Sequence, residues 1–534
     1  MDRKSRTIRI LLYLLFSFVL LVPMLFFYAG SFWKNGNITL QDYVESWPSA
    51  AQWRALGNSL RLGIAATLLS FVFGLPVAVA LSRLERRWRH FLTTLCLIPL
   101  MIPPYLTASA WVVAAGKRTF LNLLLMRVFS TAESPLSLFN FGGCVWVFSL
   151  SYWPIIALLG CASLRLIDRR QEDAGRLFAA GPPVFRKITL PLIWPSLAAA
   201  GGIVFLLVIA DFGVPDLLLF RAYTNEALQS FRWGPDMPAA AAVSLPLVLC
   251  VALVVALIGL CPAKRSPLLV GGSAEISQRP SSRKGAAGFL SWTILVLSLS
   301  VAFPVATFVS ASASWDAYRE AFRMGGGLIA NSFWVAALGA ASTLLFCLPL
   351  AHMTNTGTRG ERMYVQFVSL LTFALPATVV GVGLISLYNR PGLPEWIYRS
   401  LGIMVLAYVA RFFFIAWTGV SAVLAGVDPS LFEAARISGA SPWRAYRVVF
   451  LPLAKGSLWA LFLVLFILCF GELGIGVLLT PAGYRTLPVT LFGLLHFGYE
   501  RLVMALCLIF FMSIVIPTAA AMYIWRRYGD SRFI

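Results

Sequence analysis

Apolar stretches of about twenty residues recur along the chain, separated by short polar intervals. An α-helix of that length just crosses the hydrocarbon core of a bilayer. Twelve such stretches can be drawn, at residues 10–29, 58–82, 91–115, 141–163, 191–210, 238–262, 288–311, 328–353, 364–388, 401–424, 456–479 and 500–525. The expected fold class is an all-α membrane protein with about 12 transmembrane helices. The first stretch follows a basic N-terminus, as a signal peptide would. It is longer than a usual signal-peptide apolar region and many similar spans follow, so it is expected to remain as the first helix.

Composition supports this pattern. Of 534 residues, 59% are hydrophobic and 12% charged. Soluble proteins are roughly 45–50% apolar and roughly 25% charged. A string of soluble domains is therefore excluded, as are a disordered chain, a coiled coil, a collagen-like chain and a secreted disulfide scaffold. The eight cysteines lie in or beside apolar stretches and none forms a CxxC pair. With three histidines and no zinc-type spacing, they are expected to be packing residues.

A net charge of +21 could point to nucleic acid, but the placement of the charges argues for topology. Basic runs at Arg3–Arg9, Arg83–Arg89, Arg165–Lys187, Lys264–Lys284 and Arg526–Arg532 all fall between or beyond apolar stretches. An even number of spans places both basic termini on one side, the cytoplasm. The intervals then facing inward hold 28 of the 43 Lys and Arg residues. Lys117, Arg118 and Arg127 fall outside, where Thr119–Phe129 is expected to form a short surface helix.

The chain repeats. A linker at 263–287 separates residues 1–262 from 288–534, each with six spans. Asn58-Ser59 and Asn331-Ser332 are 273 residues apart, as are Pro76 and Pro349, and Pro103 and Pro376. Later the offset becomes 261, matching Glu172 with Glu433, Leu190-Pro191 with Leu451-Pro452 and Asp211 with Glu472. The same offset pairs Gly213 with Gly474, Tyr223 with Tyr484 and Phe231 with Phe492. Two six-helix repeats, each with an even span count, are parallel and related by an axis along the membrane normal.

The long inward loop of the second half reads Glu433-Ala434-Ala435-Arg436-Ile437-Ser438-Gly439, then nine residues, then Val449-Phe450-Leu451-Pro452. Ser430–Ser438 suits a short helix with Asp428 or Ser430 as N-cap and Glu433 in the first turn. Ala434 and Ala435 allow another surface to approach closely. Gly439 can take positive φ and turn the chain. Ser441-Pro442-Trp443 starts a second helix, and Pro452 is placed at the start of the next span. An amphipathic loop on lipid headgroups would share these features, but two copies at equivalent positions favour a projecting hairpin.

This pattern resembles the EAA loop of permease subunits of ABC importers. The resemblance implies the type I importer permease fold and coupling loops at about 165–191 and 425–455. It implies that Glu433, Ala434, Ala435 and Gly439 contact an ATPase subunit, as do Glu172, Asp173, Ala174 and Phe178 in the first copy. The first copy departs from the pattern at Asp173, where Ala is expected, and at Phe178, where Gly is expected; its turn is placed at Gly181-Pro182. No P-loop is present: Gly116-Lys117 has Trp111 in place of the first glycine and Arg118 after the lysine. The implied partners are two ATPase copies carrying ATP-Mg, one periplasmic binding protein and membrane lipid, with no nucleic acid. No cofactor, metal or catalytic residue is expected on this chain, which would be a transport subunit of the inner membrane and not an enzyme.

The fused two-half layout, with Asp211–Leu218 and Gly471–Leu478, is most similar to ferric iron permeases of bacteria. Thiamine permeases share the layout, and polyamine, phosphonate and sulfate permeases share the loop. Asp211 and Glu472, at the ends of equivalent spans, are candidates for an acidic passage for a cation. They could instead cap helix ends or pair with Arg221 or Arg485. Asn58 and Asn331 are further path candidates, or simply N-caps of their spans. A secondary transporter would leave the paired loops unexplained, and a membrane enzyme would need a polar catalytic cluster that the sequence does not show.

Overall fold

The computed structural model describes residues 3–34, 37–38, 41–116, 119–131, 134–167, 177, 182–233, 237–260, 283–498 and 501–528. They are almost entirely helical, apart from a two-residue antiparallel ladder pairing Trp33 with Ile38 and Lys34 with Asn37. Among the described residues nine helices are long and apolar enough to span a membrane, and three bent pairs bring the number to 12. The bent pairs are Arg6–Leu20 with Val22–Ser31, Arg87–Met101 with Pro104–Ala114, and Arg359–Ala374 with Ala377–Tyr388.

The second and third of these breaks are repeat-equivalent and have a local cause. Pro103 and Pro376 stand at the two breaks with φ −54° and −53° and the same ψ of 138°. A residue before proline is pushed out of the helical region. Ile102 and Leu375 accordingly sit extended, at ψ 114° and 143°. The spans bend by 84° and 104° there. Pro76 and Pro349, the other repeat-equivalent proline pair, lie inside helices that continue through them, Ala50–Arg83 and Trp315–Asn355.

Proline also explains the π-helical turns Phe185–Thr189, Ser298–Ala302 and Tyr446–Phe450. Each closes with a backbone N–H reaching five residues back: Leu190 to Phe185, Phe303 to Ser298 and Leu451 to Tyr446. The next residue is Pro191, Pro304 or Pro452. The wider turn moves the carbonyl that the proline ring would otherwise strike. Pro452 therefore does not begin its span, as the sequence suggested. It lies within a continuous helix from Trp443 to Gly471.

The two halves are units of sequence, but they do not pack as separate units. The first span lies on the second half: Ser17 Oγ is 2.7 Å from Tyr364 Oη, the Phe16 and Phe413 rings are 5.1 Å apart, and Arg9 pairs with Glu361 at 3.5 Å. The seventh span, Gly288–Ala311, lies on the first half. There Trp292 Nε1 donates to the Phe73 carbonyl at 3.2 Å, and the Phe303 ring packs tilted against Trp111 with ring centroids 4.3 Å apart. This reciprocal exchange makes one continuous core. On the outer face of Ala50–Arg83, Ile64, Leu68 and Val72 recur every four residues and are more than half exposed. The opposite face, with Leu62, Ala66, Ser70 and Val77, is buried. An exposed apolar stripe over a packed interior is what a lipid solvent requires.

Candidate functional site

The fifth and eleventh spans end at Ala210 and Gly471, and the chain turns sharply at Asp211 and Glu472. Both residues are extended, with φ/ψ of −79°/133° and −71°/115°. Each elbow is followed by a short helix, Gly213–Leu217 in one half and Gly474–Leu479 in the other. The expected span 456–479 is thus corrected: its last eight positions form the elbow and the short helix that follows.

The acidic side chains hold these elbows. Asp211 Oδ1 accepts the Val214 N–H at 3.0 Å. Glu472 Oε1 accepts those of Gly474 and Ile475 at 3.1 and 3.3 Å. Each carboxylate thus satisfies donors that the start of a helix leaves unpaired. The elbows meet each other. A Cβ placed on Gly474 would lie 3.3 Å from the Phe212 ring and 2.5 Å from the Ala377 Cβ, and one on Gly213 would lie 3.2 Å from Leu473. Asp211, Glu472 and Arg411 lie within electrostatic range of one another. The acids of the two repeats therefore share one seam.

Capping and ion pairing, the structural alternatives raised by the sequence, both occur, but with a different arginine. Arg221 is engaged with Glu226. Arg411, on the span Gly402–Ala425, brings Nε to 3.1 Å from Glu472 Oε2, with only 12% and 11% of the two side chains exposed. The contact is an ion pair without hydrogen-bond alignment. Its Nη1 donates to the Leu375 carbonyl at 3.1 Å, at the break of the ninth span. The repeat-equivalent residue, 261 positions earlier, is the buried Leu150. Arg411 escaped the sequence reasoning although the signal was present: an ionisable residue inside an apolar span is a functional candidate by default.

Asn58 and Asn331 are not N-caps. Their helices begin earlier, at Ala50 behind the Ser49 capping box and at Trp315. From within these helices Asn58 Nδ2 donates to the Arg221 carbonyl at 3.2 Å, and Asn331 Nδ2 to that of Arg485 at 3.1 Å. The next residues act alike: Ser59 Oγ accepts the Tyr223 N–H and Ser332 Oγ the Leu487 N–H, both at 2.8 Å. Both copies thus anchor the chain that leaves the elbow.

These anchors correct the repeat register. Tyr223 corresponds to Leu487 and not to Tyr484, so the Phe231–Phe492 match also fails. The second half carries an extra turn with Gly483 at φ +82°. Ser332→Ala should leave the buried Leu487 N–H without a partner, a loss of about 1–3 kcal/mol. The expected result is a lowered unfolding temperature in detergent, and an unchanged temperature would refute the anchor.

The second-half loop matches its expected geometry in most respects. Pro429–Ile437 is a helix with no buried residue. Asp428 is its N-cap, accepting the Ser430 N–H at 2.9 Å, and that bond holds the carboxyl below the usual aspartate range. Gly439 has φ +80°. Its N–H donates to the Arg436 carbonyl, and that of Ala440 to Ala435, closing a Schellman motif. Pro442–Ala445 starts the return helix. Glu433, however, is the fifth helical residue, not one of the first turn, because Pro429 opens the helix. Glu433, Ala434, Ala435 and Gly439 lie along this projecting hairpin, with Ile437 89% exposed at its tip. Glu172, Asp173, Ala174 and Phe178 of the first copy lie outside the described residues, as does most of the linker; of the turn placed at Gly181-Pro182 only Pro182 is described, as the first residue of the short helix Pro182–Val184.

Residues 70–263 and 329–532 each match the model of the binding-protein-dependent transport system inner membrane component. The chain belongs to this family. It carries two copies of the permease unit in one polypeptide and is a multi-pass membrane protein of a binding-protein-dependent importer. It is similar to FbpB 1 of Haemophilus influenzae, provisionally named a ferric transport system permease protein, with 26% identity over 83% of this chain and 73% of that one. It is also similar to the ferric transport system permease protein FbpB of Actinobacillus pleuropneumoniae, with 25% identity over 88% and 71% of the two chains. The Fe(3+)-transport system permease protein FbpB 2 of Haemophilus influenzae is 22% identical over 81% of this chain and 82% of its own.

Proposed function

We propose that this permease passes ferric iron, delivered by a periplasmic binding protein, across the bacterial inner membrane. The substrate class rests on one observation: the acid-bearing elbows of both repeats pack against each other at one seam, and carboxylate oxygens suit hard cations. The similarity to relatives named for ferric transport narrows that class to Fe(III). ATP would be hydrolysed by two copies of a separate ATPase, which also carry its Mg ion. Each ATPase would receive one coupling loop, 165–191 or 425–455, with both termini on the cytoplasmic side. The unburied helix Pro429–Ile437, held at a fixed angle by its glycine turn, is suited to docking in a groove. ATP binding then shifts the membrane domain between inward- and outward-open populations.

The test is mild-detergent purification from the native host with mass spectrometry of the co-purifying chains, followed by uptake of radioactive ferric iron. A stoichiometric P-loop ATPase and chain-dependent iron uptake are expected. An intact preparation without an ATPase would refute the coupling assignment; uptake of another solute in place of iron would refute the substrate.

A further inference from the structure

The acids of the seam are not treated alike. Both cap a short helix, yet among the described residues only Glu472 has a cation in direct contact: the position that holds Arg411 in one repeat holds Leu150 in the other. The arginine's fork reaches two elements at once: the elbow carboxylate at 3.1 Å and the Leu375 carbonyl, also at 3.1 Å, at the break of the ninth span. Closing the elbow and bending that span are therefore linked through one guanidinium. On the Asp211 side of the seam, Tyr105 is buried, its Cβ 3.6 Å from where a Cβ on Gly213 would lie, and its hydroxyl has no hydrogen-bond partner among the described residues. The seam thus holds oxygen-bearing groups beyond those its own closure uses.

We propose that Arg411 is a resident counter-cation of this passage: it latches Glu472 to the ninth span when the seam is closed, and a cationic substrate takes its place on Glu472 when the seam opens. The proposal rests on the reading of the seam as the path of a cation, and it adds the residue that governs entry and release. Two carboxylates without a counter-cation in a poorly solvated passage would hold a polyvalent cation too tightly to let it leave, and conduction needs sites weak enough to empty. An arginine able to return to Glu472 supplies the competing charge that expels the cargo. Arginine suits the task because it stays charged and its planar fork can hold a carboxylate and a carbonyl together.

The test uses the complex with its ATPase in lipid nanodiscs. ATP hydrolysis is measured without binding protein and with binding protein loaded with Fe(III), and Fe(III) retained after gel filtration is measured by mass spectrometry. R411Q should raise unstimulated hydrolysis by about fivefold or more, the lower end of ordinary coupling between sites. It should also retain Fe(III) that the wild type releases. R411K, which restores the charge on Glu472, should return both readouts toward wild type. Should R411Q fail to assemble, R411Q/E472Q buries no unpaired charge and should show the same raised hydrolysis without retaining iron. An assembled variant lacking Arg411 that hydrolyses ATP at the wild-type unstimulated rate overturns the latch, and R411Q that retains no iron overturns the exchange. A wild-type complex that iron-loaded binding protein fails to stimulate refutes the ferric reading instead, and the latch is still judged on the unstimulated rates.

Discussion

Replacing Gly439 by valine should abolish ATP-driven uptake while leaving the membrane domain folded. Gly439 has φ +80°, and a Cβ placed there meets nothing within 4 Å. The penalty is therefore wholly in the backbone. A β-branched residue in the left-handed region is a genuine outlier, and holding an ordinary residue there costs about 1–3 kcal/mol. Two hydrogen bonds, from Gly439 to Arg436 and from Ala440 to Ala435, depend on that conformation. Relaxing it loses both and changes the angle between Pro429–Ile437 and the return helix. An exposed helix without buried contacts cannot recover its direction from packing. Gly439→Asn is the control, because asparagine tolerates the left-handed region. Uptake and co-purifying ATPase should be lost with valine and largely kept with asparagine. Equal loss with both would show that the side chain matters and the turn does not.

Much of this architecture was legible because the bilayer restricts the solutions. A chain with this density of apolar runs can satisfy its backbone only with helices or a closed barrel, so span number follows from run length. The repeat was legible where structure demands one residue type: Pro103 and Pro376 at the breaks, and Pro191 and Pro452 after the π turns. The Gly439 turn was legible for the same reason. Register was lost where no such constraint acts, between the elbow and the next helix. There the loop around Gly483 is longer than its counterpart, and two matching aromatics suggested the wrong equivalence. Helix starts were missed because Ala50–Asn58 and Trp315–Asn331 extend beyond the apolar runs, and polar residues in a continuing helix look like caps. Glu472 was found through its repeat partner. Arg411, whose repeat partner is a leucine, had no second copy to draw attention to it.

Neutralising the seam should separate charge from architecture. In Asp211→Asn the remaining carbonyl oxygen can still accept the Val214 N–H, so the elbow keeps its cap and loses only a charge. Glu472→Gln likewise keeps the bonds to Gly474 and Ile475 but leaves Arg411 without its carboxylate. At an effective dielectric of about 20, two unit charges 4 Å apart interact by about 4 kcal/mol. A third of that for a singly charged cation is already about a tenfold change in rate, and a trivalent cation multiplies it. Asp211→Asn should therefore reduce ferric uptake by about tenfold or more while hydrolysis without binding protein stays low, since the Arg411 contacts are untouched. Asp211→Asn with Glu472→Gln should reduce uptake further and also raise that hydrolysis, because the arginine has lost its partner. Cell uptake assays paired with hydrolysis by the purified complex resolve the two effects. Wild-type uptake in the double variant would mean that the carboxylates only cap helices and that the cation takes another route.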